Sequence, residues 1–336
     1  MLFRPPQIVP LLLGSKVPGW VKAGASIDLD FANGRYFGGS PASSLTIVRA
    51  STKTDLLPSS ASGATFNTFG NNVLAITPGL GILIEEARTN QLLNSNAPAT
   101  QTTGSLGTGT YTLWVNGSGS ATPSGNTATI TGAAAATNGS PNTFTVTVAG
   151  TIDVTVSGSL NAFQLEQNTP SAAQGTSFIV TVGGTATRAA DSVLTTGFIS
   201  TILAGSAKSI LAVTSKIPGV AAQRTIVSGG GGSAPEYLYF NSTSGPLDNY
   251  SGASVLADGT VTSNNLNKSA LGADGTGRSL VANNGTVATD TNTQHANSTS
   301  ALGASAGVSA FINGYISRIT LWTTRLSDAM LKAVTT

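Results

Sequence analysis

The chain has 336 residues, and only 9% of them are charged, where an ordinary globular protein carries about 25%. With 16 Lys+Arg against 14 Asp+Glu the net charge is +2. There is no basic cluster to neutralise phosphates, so nucleic acid is not an expected partner. Zero Cys and a single His, His295, exclude disulfides, thiolate zinc sites, thiol nucleophiles and multi-histidine metal centres within one chain. No cofactor or metal is expected. Thr, Ser, Ala, Asn and the 40 Gly dominate, a composition of short strands joined by many turns.

Residues 1–20 alternate apolar side chains with Pro5, Pro6, Pro10 and Pro18. The prolines oppose a regular helix but reduce the entropy lost when an extended segment docks. This predicts an anchoring arm in which Phe3, Arg4, Ile8, Leu11, Leu12 and Trp20 make the contacts. The segment lacks a small-x-small cleavage site, and no run of 18 apolar residues occurs, so neither a signal peptide nor a membrane-spanning helix is expected.

A first β unit is expected over 21–95. Ser26–Phe31 alternates polar and apolar residues and breaks at Asn33-Gly34, a half-buried strand entering a tight turn. Leu45–Arg49, Val73–Ile76 and Gly81–Glu85 are further strands, the last two flanking Pro78-Gly79. Over 96–190 the texture becomes that of a β-sandwich, with alternating runs at Thr110–Val115, Thr127–Ile130, Thr143–Val148, Ile152–Val156, Phe163–Leu165 and Phe178–Val182. From 191 to 336 strands are expected at Ser209–Val213, Thr225–Val227, Tyr237–Phe240, Ser279–Ala282 and Tyr315–Trp322. One terminal helix follows, N-capped by Ser327 with Asp328 in its first turn and Met330, Leu331 and Val334 at helical spacing. The fold class read from this pattern is all-β: successive β-sandwich or jelly-roll domains with one short C-terminal helix.

The segment Gly81–Leu93, reading GILIEEARTNQLL, resembles the signature of tailed-bacteriophage head-spike and tail-fibre proteins. Leu29-Asp30-Phe31, Arg35-Tyr36, Gln164-Leu165-Glu166 and Thr187–Asp191 resemble the same family in the same order. The C-terminal Phe311–Ile319 and Leu326–Ala329, with Arg278–Gly285, resemble the closing elements of concanavalin-A/laminin-G-like jelly rolls. The resemblance implies a carbohydrate-binding-like sandwich over 96–190 and a jelly roll over 191–336. It also implies a non-enzymatic virion structural protein on the particle exterior, a head-attached spike, fibre or decoration. Its expected partners are capsid or tail components and other copies of itself, a trimer being favoured, with host surface polysaccharide as a further candidate. A tail-tip fibre is the alternative within that class; a secreted glycan depolymerase and a bacterial adhesin are the alternatives outside it. Glu85, Glu86, Arg88 and Asn90 of the signature read as a charged hinge between two β units.

A depolymerase needs two carboxylates flanking the bond, roughly 5–10 Å apart. Asp28 and Asp30 share a strand face, but alternating aspartates on a wet face are ordinary. Glu85 and Glu86 point to opposite faces of an extended chain. Asp258-Gly259 and Asp274-Gly275 read as turns, His295 as a solvated loop residue, and Ser228–Ser233 as a flexible loop with neither the lysine nor the helix of a phosphate site. Asp248 and Asn249 are too few oxygens for calcium. Glycan contact is placed instead at Tyr237, Tyr239, Asp248, Asn249 and Tyr250, where aromatic faces and amide or carboxylate groups fall within fourteen residues.

Overall fold

A computed structural model describes residues 17–54, 67–168, 176–215, 223–230, 236–241, 246–251, 254–260, 266–294, 299–305 and 309–336. Phe3, Arg4, Ile8, Leu11, Leu12 and His295 lie outside them. The chain is all-β, built from two sandwiches.

The larger sandwich pairs a nine-stranded sheet with a seven-stranded one. The first runs Arg35–Phe37, Ile27–Asp30, Gly314–Trp322, Lys208–Ser215, Asn267–Asp274, Gly277–Ala282 and Ala288–Asp290, with Gly81–Ile84 and Ile76–Thr77 joined at one side. The second runs Ser254–Thr260, Pro246–Ser251, Glu236–Phe240, Arg224–Gly230, Thr299–Leu302, Ser192–Thr195 and Leu45–Val48. Alternate residues of both sheets meet in one core, with Leu29, Ile210 and Ile319 from the first facing Val193, Leu238, Phe240 and Leu302 from the second. Side chains alternate faces along a strand, so each sheet is apolar inward.

Residues 21–95 are therefore not a unit of their own. Ile27–Asp30 pairs with Gly314–Trp322, and Leu45–Val48 pairs with Ser192–Thr195. These early strands are split between the two sheets, and the long-range strands they pair with, and most of the core they enter, come from beyond residue 190. Gly81 permits one such pairing: its φ is +112°, and a Cβ there would sit 2.3 Å from the Ile316 carbonyl oxygen.

The smaller sandwich is inserted into the larger one. The chain leaves along Arg88–Asn90 and returns along Ala186–Arg188, the two pairing antiparallel with Arg88 opposite Arg188. Between them lie two four-stranded sheets. One contains Thr129–Thr131, Asn142–Val148, Gly109–Gly117 and Leu160–Asn168; the other contains Ala136–Thr137, Ser120–Gly125, Ile152–Ser157 and Gln101–Thr102. Their separate core includes Leu113, Phe144, Ile152, Val154, Phe163 and Leu165. Residues 186–190 belong to the neck, not to this sandwich.

Phe178–Val182 forms no ladder. Its backbone is held by side chains: Asn90 Nδ2 and Ser95 Oγ donate to the Ile179 carbonyl at 2.9 and 3.1 Å, and the Ile179 amide donates to Gln164 Oε1 at 2.6 Å. Asp258-Gly259 lies within a strand rather than a turn. Two helices besides the terminal one are present among the described residues. Pro41–Ser44 is closed by a Ser40–Ser43 capping box, and Gly197–Ala204 buries Ile199, Ile202 and Leu203. The terminal helix, Asp328–Val334, is capped by Ser327 as its sequence predicts, and it buries Leu331 against Leu211, Val281 and Trp322 while Met330 faces solvent.

Candidate functional site

The tyrosine segment folds as a hairpin in the seven-stranded sheet. Its register sets Tyr239 opposite Asp248 and Tyr237 opposite Tyr250, so these four residues share one face. Leu238, Phe240 and Leu247 take the other face and enter the core. Asn249 alternates onto that inner face as well, where Arg278 Nη1 donates to its Oδ1 at 3.0 Å. Arg278, itself fully buried, is held by Asp290 through Nε at 3.1 Å and through Nη2. Asn249 is thus a structural group between the sheets and is not available to a ligand, because strand alternation separates it from Asp248.

Tyr239 and Asp248 are buried and hydrogen-bonded to each other. Burial, with the Asp248 charge, pushes the Tyr239 phenol up to about 12. Burial likewise raises the Asp248 carboxyl, opposed by hydrogen bonds from Tyr239 and Asn241. Of the five predicted residues, Tyr250 is the one whose described side chain is half-buried and not enclosed. Trp20, placed in the anchoring arm by its sequence, packs on its own domain. Its carbonyl accepts from Arg318 Nη2 at 2.8 Å, and its ring carries Arg35 at 5.2 Å and Arg318 at 6.0 Å.

The signature residues converge at the neck between the sandwiches. Glu85 directly follows the Gly81–Ile84 strand, and its backbone amide donates to Asp191 Oδ2 at 2.9 Å. Asp191 Oδ1 accepts from Arg49 Nη1 at 2.8 Å, and Lys53 Nζ bonds Asp191 Oδ2 while standing 3.0 Å from Glu85 Oε2. Arg188 Nη2 donates to the Glu86 carbonyl at 2.7 Å and lies 3.7 Å from Glu85 Oε2. Glu85 Oε1 accepts from the Ser177 amide at 2.8 Å. The side chains of Arg49, Lys53 and Asp191 are fully buried. Glu85 is pushed upward by burial, but the charges of Arg188 and Lys53 more than offset this and hold it below the usual carboxylate range. Asp191 is lowered too, with Lys53 and Arg188 overcoming its burial.

Around this knot Glu86 pairs with Arg88 and accepts from Asn313 Nδ2 at 2.8 Å. Asn90 ties the inserted sandwich to the neck by accepting from the Leu92 and Leu165 amides, both at 3.1 Å. Deeper in the insert, Glu166 accepts from Thr176 Oγ1 at 2.5 Å and Gln164 Nε2 at 3.0 Å. Burial raises its carboxyl to about 7, against the pull of Thr176, Arg188 and Arg88. The expected charged hinge is thus a sealed joint. Arg49, Lys53, Ser177 and Asn313 were not foreseen there. Arg49 and Lys53 carry one sequence signal, scarcity: in so uncharged a chain, a basic residue that is buried needs a buried acid; Ser177 and Asn313 carry none.

Asp28 and Asp30 do share a face, but neither is wet. Asp28 accepts from Arg318 Nε at 2.7 Å and Thr320 Oγ1 at 2.9 Å, and Asp30 accepts from Arg35 Nε at 3.1 Å and Asn33 Nδ2 at 2.9 Å. Among the described residues no three His, Cys, Asp or Glu side chains group as metal ligands, and no helix is long and apolar enough to cross a membrane.

No protein-family model matches the chain, and no curated protein does. Among solved structures, the CBM40 module of Ruminococcus gnavus IT-sialidase bound to α2,6-sialyllactose matches at 20% identity and a TM-score of 0.35, over 41% of this chain and 87% of that one. The leech intramolecular trans-sialidase matches at 17% identity and 0.33, over 40% of this chain and 24% of that one. A SAP-like pentraxin of Limulus polyphemus matches at 12% and 0.31, over 39% and 70%.

Proposed function

We propose that this chain is a non-enzymatic structural protein of a tailed-phage particle exterior, a short spike, fibre or decoration that also attaches to host surface glycan. The observation that carries this reading is the fate of the signature. Glu85, Glu86, Arg88 and Asn90, with Arg188 and Asp191, are bound by one another, by Lys53 and Arg49, and by backbone amides of both sandwiches. Residues that weld two β bodies together serve a part that must project without bending. Asp28 and Asp30, the carboxylate pair that shares one strand face, are each engaged by an arginine, which leaves neither free to act as the acid or the base of glycoside hydrolysis.

The test is gold-labelled antibody on purified particles, combined with adsorption and depolymerisation assays using the full-length protein. The expected result is label on the particle exterior, competition with particle adsorption, and no release of reducing ends from host polysaccharide. Unlabelled particles, or liberated reducing ends, would overturn the proposal. On the tyrosine face, Tyr250→Ala should weaken cell binding about tenfold, the loss of one stacked ring, at an unchanged melting temperature. An equal loss of stability would instead assign Tyr250 to the core.

A further inference from the structure

Strand register assembles a row of charges on the outer face of the nine-stranded sheet from residues far apart in sequence. Asp30 lies opposite Arg35 on one side and Arg318 on the other; Arg318 lies opposite Val213, and Val213 opposite Lys268. Five strands at about 4.8 Å spacing make this row roughly 19 Å long. The next row on the same face is Asp28, Thr320, Leu211 and Ala270. Lys22 comes in from the preceding loop, its amide donating to Asp28 Oδ2 at 2.9 Å. Lys22, Asp30, Arg35, Arg318 and Lys268 line a groove of about 300 Å³ whose apolar part includes Leu211, Val213, Leu266 and Val334; Asp28 lies behind it, bonded to Arg318 and the Lys22 amide.

Charge in the groove is unbalanced. Lys22, Arg35, Lys268 and Arg318 face two aspartates. Lys268 Nζ bonds the Thr336 carbonyl, and the guanidinium groups address the aspartates through Nε and Nη2. Lys22 Nζ and the Nη1 groups of Arg35 and Arg318 have no hydrogen-bond partner among the described residues. Burial, then the charges of Arg318 and Lys268, hold the Lys22 ammonium below its usual range, against the opposing pull of Asp28. A cation crowded by two others is relieved by an anion. The volume is at the small end of ligand pockets, and donors beside an apolar strip suit a sugar ring with one charged substituent.

We propose that this groove binds an acidic saccharide, with its anionic substituent held by Lys22, Arg35 and Arg318 and its ring laid on Val213 and Leu266. The assignment rests on the glycan-binding half of the function proposed above, but it places the acidic sugar on the opposite sheet from Tyr250. The anion is a carboxylate or a phosphate; the same three donors serve either.

The test titrates the full-length protein with oligogalacturonate, with a glycerol-phosphate oligomer and with a neutral glucan oligomer, each at low and high salt. One or both acidic oligomers should bind, more weakly as salt rises, and the neutral one should not compete. Which acidic oligomer binds decides between carboxylate and phosphate. Lys22→Gln should weaken that binding about tenfold, the loss of one charge-assisted hydrogen bond, and Lys268→Gln by a few-fold, both at an unchanged melting temperature. Acidic binding indifferent to both lysine substitutions would overturn the groove. If saccharide binding is lost with Tyr250→Ala but not with the lysine variants, the groove falls and the glycan reading stands. If no saccharide binds, both fall.

Discussion

The neck and the groove are built from the same kinds of residue and behave as opposites. At the neck, Glu85 and Asp191 are enclosed with Arg49, Lys53 and Arg188, and backbone amides from both sandwiches complete the set. In the groove, Asp28 and Asp30 are enclosed but their arginines are not: Arg318 is 15% and Arg35 42% exposed. In the first case every charge is desolvated and its partner is a condition of folding. In the second the acids are enclosed while the cations are only partly buried, and Lys22, Arg35 and Arg318 keep donors that no described residue takes. The difference lies in what stands over the charges: a second sandwich closes the neck, whereas at the groove the Trp20 ring lies against Arg35 and Arg318.

The widest separation should come from breaking each acid's pair. Asp191→Ala leaves Arg49 and Lys53 buried without their shared carboxylate, and stranding buried charge costs about 3–5 kcal/mol. Urea denaturation should show that loss, with the inserted sandwich released from the larger one. A loss below about 1 kcal/mol would mean that water reaches the joint and that its rigidity is overstated.

The second contrast is in pH. Glu166 has a folded pKa of about 7 against 4.5 for the free side chain, so the native state holds this proton more tightly than the unfolded chain. Its contribution therefore favours folding at low pH and is lost as pH rises from about 4.5 to about 7, by on the order of 3 kcal/mol. Glu85 and Asp191 are shifted the other way. Their contribution is present above the unfolded carboxylate pKa and is lost on acidification through the depressed folded values. Glu166→Gln keeps the acceptor for Thr176 and Gln164 but cannot ionise. It should match the parent near pH 5 and exceed it near pH 8 in denaturation midpoint. Parallel pH profiles for the two proteins would show that Glu166 does not titrate in this range.

How much of this was legible in the sequence follows from range. The Ile27–Asp30 strand, the Asn33-Gly34 turn, the inserted strands from Gly109 to Leu165 and the Ser327-capped helix are local patterns, and all are present. Ser120–Gly125 was missed because Pro123 and small polar residues dominate it, although Ala121 and Pro123 do alternate inward. The Gly197–Ala204 helix did have a signal, Ile199, Ile202 and Leu203 at helical spacing, that its short length obscured. What could not be read was pairing across the chain: Asp28 with Arg318, Arg49 with Asp191, Glu86 with Asn313. Each joins segments more than a hundred residues apart, and no periodicity encodes which strand becomes a neighbour. The buried face of Asn249 was missed for a simpler reason, since consecutive residues of a strand cannot both face one ligand.

The smallest effect belongs to Arg35, and it is the sharpest check on the contrast. Its Nε donates to Asp30 at 3.1 Å and its guanidinium lies 5.2 Å from the centre of the Trp20 ring. An ion pair whose cation stays in water contributes about 0.2–1 kcal/mol, and a solvated cation over an aromatic ring about 0.5–1 kcal/mol. Asp30 meanwhile keeps Asn33, which donates to it through both its amide and its side chain. Arg35→Gln should therefore cost about 1 kcal/mol, and less at high salt, where the ion-pair part is screened. Denaturation at low and high salt measures both. A cost approaching that of Asp191→Ala, with no dependence on salt, would mean that the groove is closed around its cations as the neck is, and the distinction between joint and binding surface would not hold.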